Sequence, residues 1–356
     1  MEDGALEPRD RPQLRERQEA ILRMVVDRHI ATGQPVGSKH IAGTGGIDYS
    51  SSTVRYELAR LEELGYLDHP HTSAGRVPTD RGYRYYVDTL LVRDPPADPP
   101  ATVQQALDLT EMRREVDAAL RRLADVVAQV TNLLSIVTAP APQTATVRHV
   151  EVLLLQPQVV MVVVITSTGA VTKRIFAFER PVDPGLAEWV AAFLNERATG
   201  LPVGARIIEA RLVEPSLTQR EREFVDVLSP ALTDLDEGEQ SVLYVGGQAR
   251  FLHDQQRHLD LQAIDALMQT LEERYALLAM LRGALSRNEV YLRIGGELPD
   301  PGLSGLSMVA ANYGVARHNL GTVSLIGPTR MDYRLAMATV RGAAQLLSRY
   351  VEEVYT

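Results

Sequence analysis

The sequence predicts an α+β protein built from an N-terminal winged helix-turn-helix, an antiparallel-sheet domain and a mostly helical region inserted into that sheet domain. Three observations predict it. Helix-period apolar stripes are followed by two short extended pieces before Asp88. A proline-dense run, Pro95-Pro96-Ala97-Asp98-Pro99-Pro100, then breaks the chain, and β-periodic segments lie in two blocks separated by helical patterns. A length of 356 residues suits two or three domains at roughly 100–200 residues each.

The first helix is expected from Leu14 to Thr32, where Ile21, Leu22, Val25, Val26 and Ile30 share a face and Gly33 is placed to end it. After Gln34-Pro35 a short helix can start at Ser38 and carry Ile41, before a turn at Gly43, Gly45 and Gly46. The third helix has hydroxyl N-caps in Ser50-Ser51-Ser52, a stripe of Val54, Leu58, Leu61 and Leu64, and a stop at Gly65. Tyr66-Leu67, a loop from His69 to Arg76 and a second extended piece then read as a hairpin. Three helices and a hairpin make a winged helix-turn-helix, assigned to 11–90, with the proline-rich linker at 91–103.

Beyond the linker, Leu109, Met112, Val116, Ala119, Leu123, Val126, Val130, Leu133 and Val137 recur at spacings of three and four and predict one long amphipathic helix. It would pack on its own sheet or on the same helix of a second subunit. Strand patterns at Val150 to Leu155, Val159 to Thr166 and Thr172 to Phe178, the last two joined by Ser167-Thr168-Gly169, predict a meander. Helices are then expected around Leu186 to Glu196, Glu221 to Leu232 and Leu261 to Leu285, with strand-like pieces at Arg206 to Val213 and Ser241 to Val245. Strands return at Glu289 to Ile294, Leu306 to Ala311 and Gly321 to Ile326, and a helix from about Met331 to Val354 closes the chain. The expected division is a sheet domain in two segments, 104–180 and 286–356, interrupted by an inserted region at 181–285.

The absence of cysteine excludes disulfides, thiolate metal sites and thiol nucleophiles. No apolar run approaches the ~20 residues of a membrane span, and Met1 to Gln13 lacks the apolar core of a secretory signal, so a cytoplasmic, nucleoid-associated protein is expected, with no membrane partner. The net charge of −9 argues against a nonspecific polyanion binder. Its distribution matters more: from Arg11 to Asp88 eleven Lys/Arg meet ten Asp/Glu, so the negative excess lies elsewhere and any nucleic-acid contact belongs near the N-terminus.

In a helix-turn-helix the recognition helix enters the major groove and its N-terminal side chains reach base edges. That face carries Ser52, Thr53, Arg55, Tyr56 and, further on, Arg60. Arginine pairs bidentately with guanine, so Arg55 is expected to read sequence, the plain alternative being a solvated helix face. Arg76 beside Gly75 is placed to approach the phosphate backbone or minor groove, against the alternative of an ordinary turn arginine. Ser38, Lys39, His71, Thr72 and Arg81 complete the candidate DNA-contacting set. No HExxH, GxSxG or Walker A lysine is present, and His69 and His71 alone make a poor metal site, so no enzyme activity, cofactor or metal is expected. Gly246-Gly247 and Gly295-Gly296 read as turns, Trp189 as core or interface, Pro328 as the start of the last helix and Thr329-Arg330-Met331 as a packing and capping junction.

Several runs are similar to the bacterial heat-inducible transcription repressor family, HrcA. They are Gln34-Pro35-Val36-Gly37-Ser38-Lys39, Thr53-Val54-Arg55, Leu61 to Leu67, the wing from Pro70 to Asp88, and Ile326 to Tyr333. Looser likeness extends through Tyr244-Val245-Gly246-Gly247 and Arg293-Ile294-Gly295. The resemblance implies a homodimeric repressor with a GAF-like sheet domain and an inserted dimerising domain. It also implies binding to the CIRCE inverted repeat ahead of chaperone operons, with activity supported by the GroEL chaperonin. This chain departs from the family at Tyr56-Glu57, where relatives have asparagine and an acidic residue, and in the turn from Gly43 to Asp48. An alternative is a ligand-responsive winged-helix regulator of a different regulon, sensing through the sheet domain. Independently of the family, an inverted repeat mirrors two-fold protein symmetry and one short helix makes too few base contacts, so a dimer is expected, held by the inserted region and the long helix.

Overall fold

The structure, a computed structural model, describes residues 14–42, 49–70, 75–93, 116–139, 146–167, 169, 171–203, 206–233, 242–255, 261–273, 290–315 and 318–355. The N-terminal unit contains α1 (Glu16–Thr32), α2 (Ser38–Ile41), α3 (Ser51–Glu63), β1 (Leu67–Asp68), β2 (Val77–Pro78) and α4 (Asp80–Tyr85), which continues as a π-helical stretch, Tyr86–Leu91. Ile21, Leu22, Val25 and Val26 of α1 meet Val54, Leu58 and Leu61 of α3 in the core, as the stripes predict. Of the three serines before α3, Ser50 is the cap, its hydroxyl accepting from the Thr53 N–H at 3.2 Å. β1 and β2 pair antiparallel, Leu67 with Pro78 and Asp68 with Val77. The second extended piece is shorter than expected, because the Thr79 hydroxyl accepts the Gly82 N–H at 3.1 Å and starts α4 directly after the wing.

The expected long helix divides. Its described part, α5 (Val116–Thr131), ends before Asn132 at φ 54°, and Leu134–Thr138 is strand β3. Every residue of β3 is buried, so it lacks the alternation of a half-exposed strand, and Leu133 and Val137 fall on a helical period by coincidence. Leu120, Leu123 and Val127 of α5 are buried in the core of their own chain, which selects intrachain packing for that face.

The next segments form their own unit. β4 (Val147–Gln156), β5 (Val159–Thr166) and β6 (Val171–Ala177) make the expected meander as a separate three-stranded antiparallel sheet. It packs on α6 (Pro184–Ala198), α7 (Arg206–Leu212), α8 (Gln219–Leu228) and α9 (Pro230–Thr233). Arg206 to Leu212 is helix where a strand was expected: Ile208 and Leu212, four apart, are buried while Ile207 faces out, and the adjacent β-branched pair mimicked a strand.

After this unit come β7 (Leu243–Gly246), α10 (Gln248–Gln255), α11 (Leu261–Glu272), β8 (Tyr291–Ile294), β9 (Leu306–Val315), β10 (His318–Pro328) and α12 (Tyr333–Tyr355). The five-stranded sheet has the order β7-β3-β10-β9-β8, all neighbours antiparallel. Its strands alternate between two cores. Val137, Val309 and Leu325 face α5 and α12, while Ile136, Met308 and Ile326 face Phe251 and Leu267 on the other side. Two expectations need correction. The meander does not pair with this sheet, whereas β7, placed in the insertion, does: Thr138 is the register partner of Leu243. Pro328 ends β10, and Asp332 caps α12 by accepting the Leu335 N–H at 2.9 Å.

Candidate nucleic-acid interface

The polarity of α3 follows from what it buries. Val54, Glu57, Leu58 and Leu61 point inward, leaving Ser52, Arg55, Tyr56 and Glu63 on the outer face. Arg55 is exposed and, among the described residues, makes no hydrogen bond or ion pair; Tyr56 is 69% exposed. The Ser50 hydroxyl lies 2.7 Å from that of Ser52 and 2.9 Å from that of Thr53, gathering three hydroxyls at the helix start, where backbone N–H groups favour an anion. Ser38 reaches Ser51 at 3.4 Å and ties α2 to α3, while Lys39 is exposed beside it. Arg60 pairs with Glu63 at 2.5 Å, an exposed contact of the kind a phosphate displaces at little cost.

Tyr56 and Glu57, read together from the sequence as a departure on the recognition face, point opposite ways. Glu57 is only 2% exposed, its carboxylate 2.5 Å from the Arg17 guanidinium and accepting from Gln18 Nε2 at 3.1 Å. It therefore holds α3 on α1, and only Tyr56 is available to a ligand. An acidic residue one place from an exposed aromatic gave no signal of that inward role.

Arg76 and Arg81 occupy different settings. The Arg76 backbone exchanges two hydrogen bonds with Val36, at 2.8 and 2.9 Å, an antiparallel bridge that ties the segment before α2 to the base of the wing. Its half-buried guanidinium lies 2.7 Å from the Glu62 carboxylate on α3, and His69 Nδ1 lies 3.9 Å from the same group. Gly75 has a reason of its own, since a Cβ there would collide with the Val36 backbone. Arg81 is exposed on α4 and lies over the Tyr66 ring at 4.8 Å. His71 and Thr72 lie outside the described residues.

Sequence reasoning missed a second constellation, where α4 meets the five-stranded sheet. Asp80 accepts the Gly296 N–H at 2.9 Å, and burial raises its pKa. Arg84 Nε donates to Glu297 Oε1 at 2.8 Å and Nη2 to the Leu292 carbonyl at 3.0 Å. Burial opposes the Arg84 charge, but the hydrogen bond and charge of Glu297, aided by Asp88, outweigh it and raise its pKa. His29 Nδ1 sits 2.7 Å from the Tyr83 hydroxyl, and the Tyr83 ring packs against Tyr333 at 5.7 Å. Burial, reinforced by the Arg330 charge, lowers the His29 pKa. The Gly295-Gly296 turn and the run from Arg330 to Tyr333 are thus parts of a junction between units.

A family model described as the HrcA protein C-terminal domain matches residues 117–337. The chain is 35% identical over 342 residues to the heat-inducible transcription repressor HrcA of Nocardioides sp., covering 95% of this chain and 99% of that protein. It is 35% identical over 353 residues to the repressor of the same name in Streptomyces avermitilis, covering 96% and 99%. Among solved structures, the crystal structure of a hypothetical protein matches 96% of this chain and all of its own with a TM-score of 0.63 at 21% identity, a likeness of fold.

Proposed function

This chain belongs to the HrcA family of heat-inducible transcription repressors, and from that premise we propose that it represses chaperone operons by binding a CIRCE-type inverted repeat as a homodimer. The family is one of repressors and not of enzymes. The observation that carries the reading is the outer face of α3, where Ser52, Thr53, Arg55 and Tyr56 stand together beside a hairpin fastened to the same helix. Arg55 reads a guanine, the hydroxyls take a phosphate at the helix start, and Lys39, Arg60 and Arg81 supply further backbone contacts. Arg76 acts chiefly by holding the wing to α3 through Glu62. His71 and Thr72, from the same wing sequence, are assigned to the phosphate backbone. No helix among the described residues is long and apolar enough to cross a membrane. As a DNA-bound repressor the protein would act at the nucleoid in the cytoplasm.

The dimer, expected from the inserted region and the long helix, is assigned instead to the outer face of the meander, because the apolar face of α5 is already buried within its own chain. Leu153 pairs with Met161 and Met161 with Ile175 across the three strands, and Val171 and Ile175 are each 61% exposed. One row away, Glu151, Val163 and Lys173 align. A two-fold axis along β5 sets Val163 on its own copy and Glu151 of one protomer opposite Lys173 of the other, the self-complementarity an isologous interface requires. Support of the active form by the GroEL chaperonin completes the reading, on family resemblance.

The test is a gel shift and footprint at fixed salt on a CIRCE-type repeat and a scrambled duplex, with and without chaperonin. Two-fold-symmetric protection of the repeat alone, increased by chaperonin, is the expected result. Equal binding to both duplexes overturns the operator assignment, and protection indifferent to chaperonin overturns that coupling.

A further inference from the structure

Helix α4 and its π-helical continuation are fixed on three sides. Toward the recognition helix, the Thr79 N–H donates to the Tyr66 carbonyl at 3.2 Å, the Thr79 hydroxyl donates to the Gly65 carbonyl at 2.7 Å, and Arg81 lies over the Tyr66 ring. Gly65 and Tyr66 lie just past the C-cap of α3, so these contacts join α3, the base of the wing and α4 in one packed unit. Toward α1, the hydroxyls of Tyr85 and Tyr86 donate to Glu19 at 2.7 Å and Asp27 at 2.6 Å.

Toward the sheet, the Asp80 carboxylate occupies the space a side chain at Gly295 would need, with Gly295 at φ +53° and Gly296 donating its N–H. The Arg84 guanidinium meets both oxygens of Glu297 and the Leu292 carbonyl within β8. A bidentate arginine–carboxylate pair fixes angle as well as distance. None of these side chains lies on the outer face of α3.

We propose that Asp80, Arg84, Gly295 and Glu297 are positioning residues that select operator spacing. They fix where each recognition helix stands relative to the dimer axis, and hence how many base pairs separate the two half-sites. The inference rests on the two-fold dimer reading above. Each base pair added between half-sites moves one of them by about 3.4 Å and turns it by about 34° around the duplex, so a stiff junction tolerates one spacing and a loose one several.

The test uses the full chain and inverted repeats with identical half-sites, whose spacer is changed one base pair at a time, titrated by gel shift at a single salt concentration. The variants are Glu297→Gln, Arg84→Ala and Arg84→Lys, each checked for folding by circular dichroism. Wild type is expected to bind its preferred spacer about tenfold tighter than spacers two base pairs away. In Glu297→Gln and Arg84→Ala that ratio falls to about threefold or less, and Arg84→Lys, which keeps charge without the planar fork, falls between. Discrimination against a base-substituted half-site at the preferred spacer stays within about twofold of wild type. If Arg84→Ala fails to fold, Glu297→Gln and Arg84→Lys decide. Folded variants that retain the tenfold ratio, or lose the same factor on every spacer, overturn the proposal alone. A wild-type chain that protects a single half-site or ignores spacing overturns the two-fold reading and the proposal with it.

Discussion

Helix α3 and the meander each bury one face and present the other, and they do so with opposite chemistry. The meander buries valines, at 147, 150, 152, 160, 162 and 164, and turns Leu153, Val171 and Ile175 outward. Helix α3 places a carboxylate, Glu57, among its buried leucines and turns serine, arginine and tyrosine outward. The polar outer face of α3 suits the proposed polyanion contact, and its support is anchored by directional charge pairs. The apolar outer face of the meander suits the proposed self-association, and its support is volume alone. The difference teaches that the chemistry of the inner side of each element differs along with that of the outer one.

The largest expected effect breaks the meander's outer face. Leu153→Asp with Ile175→Asp should give monomers by sedimentation velocity and lower affinity for a full inverted repeat by at least about a hundredfold, leaving weak half-site binding. Dimers surviving both substitutions would remove that face from the interface. Next is the charged anchor of α3. Arg17→Met leaves the Glu57 carboxylate with Gln18 as its remaining partner, and should cost about 2 kcal/mol, discounted for the partial exposure of Arg17, read as a lower urea midpoint.

Between the two arginines of the interface, Arg55→Ala should cost about 1–3 kcal/mol of specific binding and relax preference at one operator position. Arg76→Ala should weaken all sequences alike while leaving the salt slope unchanged, because Glu62 already neutralises that charge; a slope reduced by about one would restore it as a phosphate contact. The smallest effect is in pH. The lowered pKa of His29 means the folded N-terminal unit binds fewer protons than the unfolded chain, so its contribution is full above about pH 6.5 and is lost as pH falls below it toward the folded pKa. Thermal melts of wild type and His29→Gln from pH 7.5 to 5.5 should diverge, with wild type losing more.

The winged helix was legible because its signals are local. Stripe, serine cap and glycine stop coincide at α3, and stripe and stop at α1. The sheet grouping was not, since alternating valines show that β5 is half buried without naming the strands beside it, and β3, buried on both faces, carries no alternation. Candidate contacts were named by residue type, and type does not separate Arg55, exposed, from Arg76, held by a glutamate fourteen positions earlier in the chain. Thr329-Arg330-Met331 was legible as a packing junction, but its charged partners were not, since Asp80 and Gly296 become neighbours only through the tertiary fold.

The pairing of Thr138 with Leu243, continued by the Ala139 N–H on the Val242 carbonyl at 2.8 Å, has a topological consequence. Strands β3 and β7 are hydrogen-bonded neighbours running in opposite directions, so everything from 140 to 241 stands where a two-residue hairpin turn would suffice. Closing that excursion as flexible chain would cost about 3 kcal/mol more than closing two residues, nearly six doublings at about 0.6 kcal/mol each, a cost its own folded core reduces. The sheet sets almost no condition on what the excursion contains beyond bringing its ends together. On the dimer reading proposed above, a short Asn-Gly connection in its place should leave a smaller protein that folds and binds a half-site as a monomer.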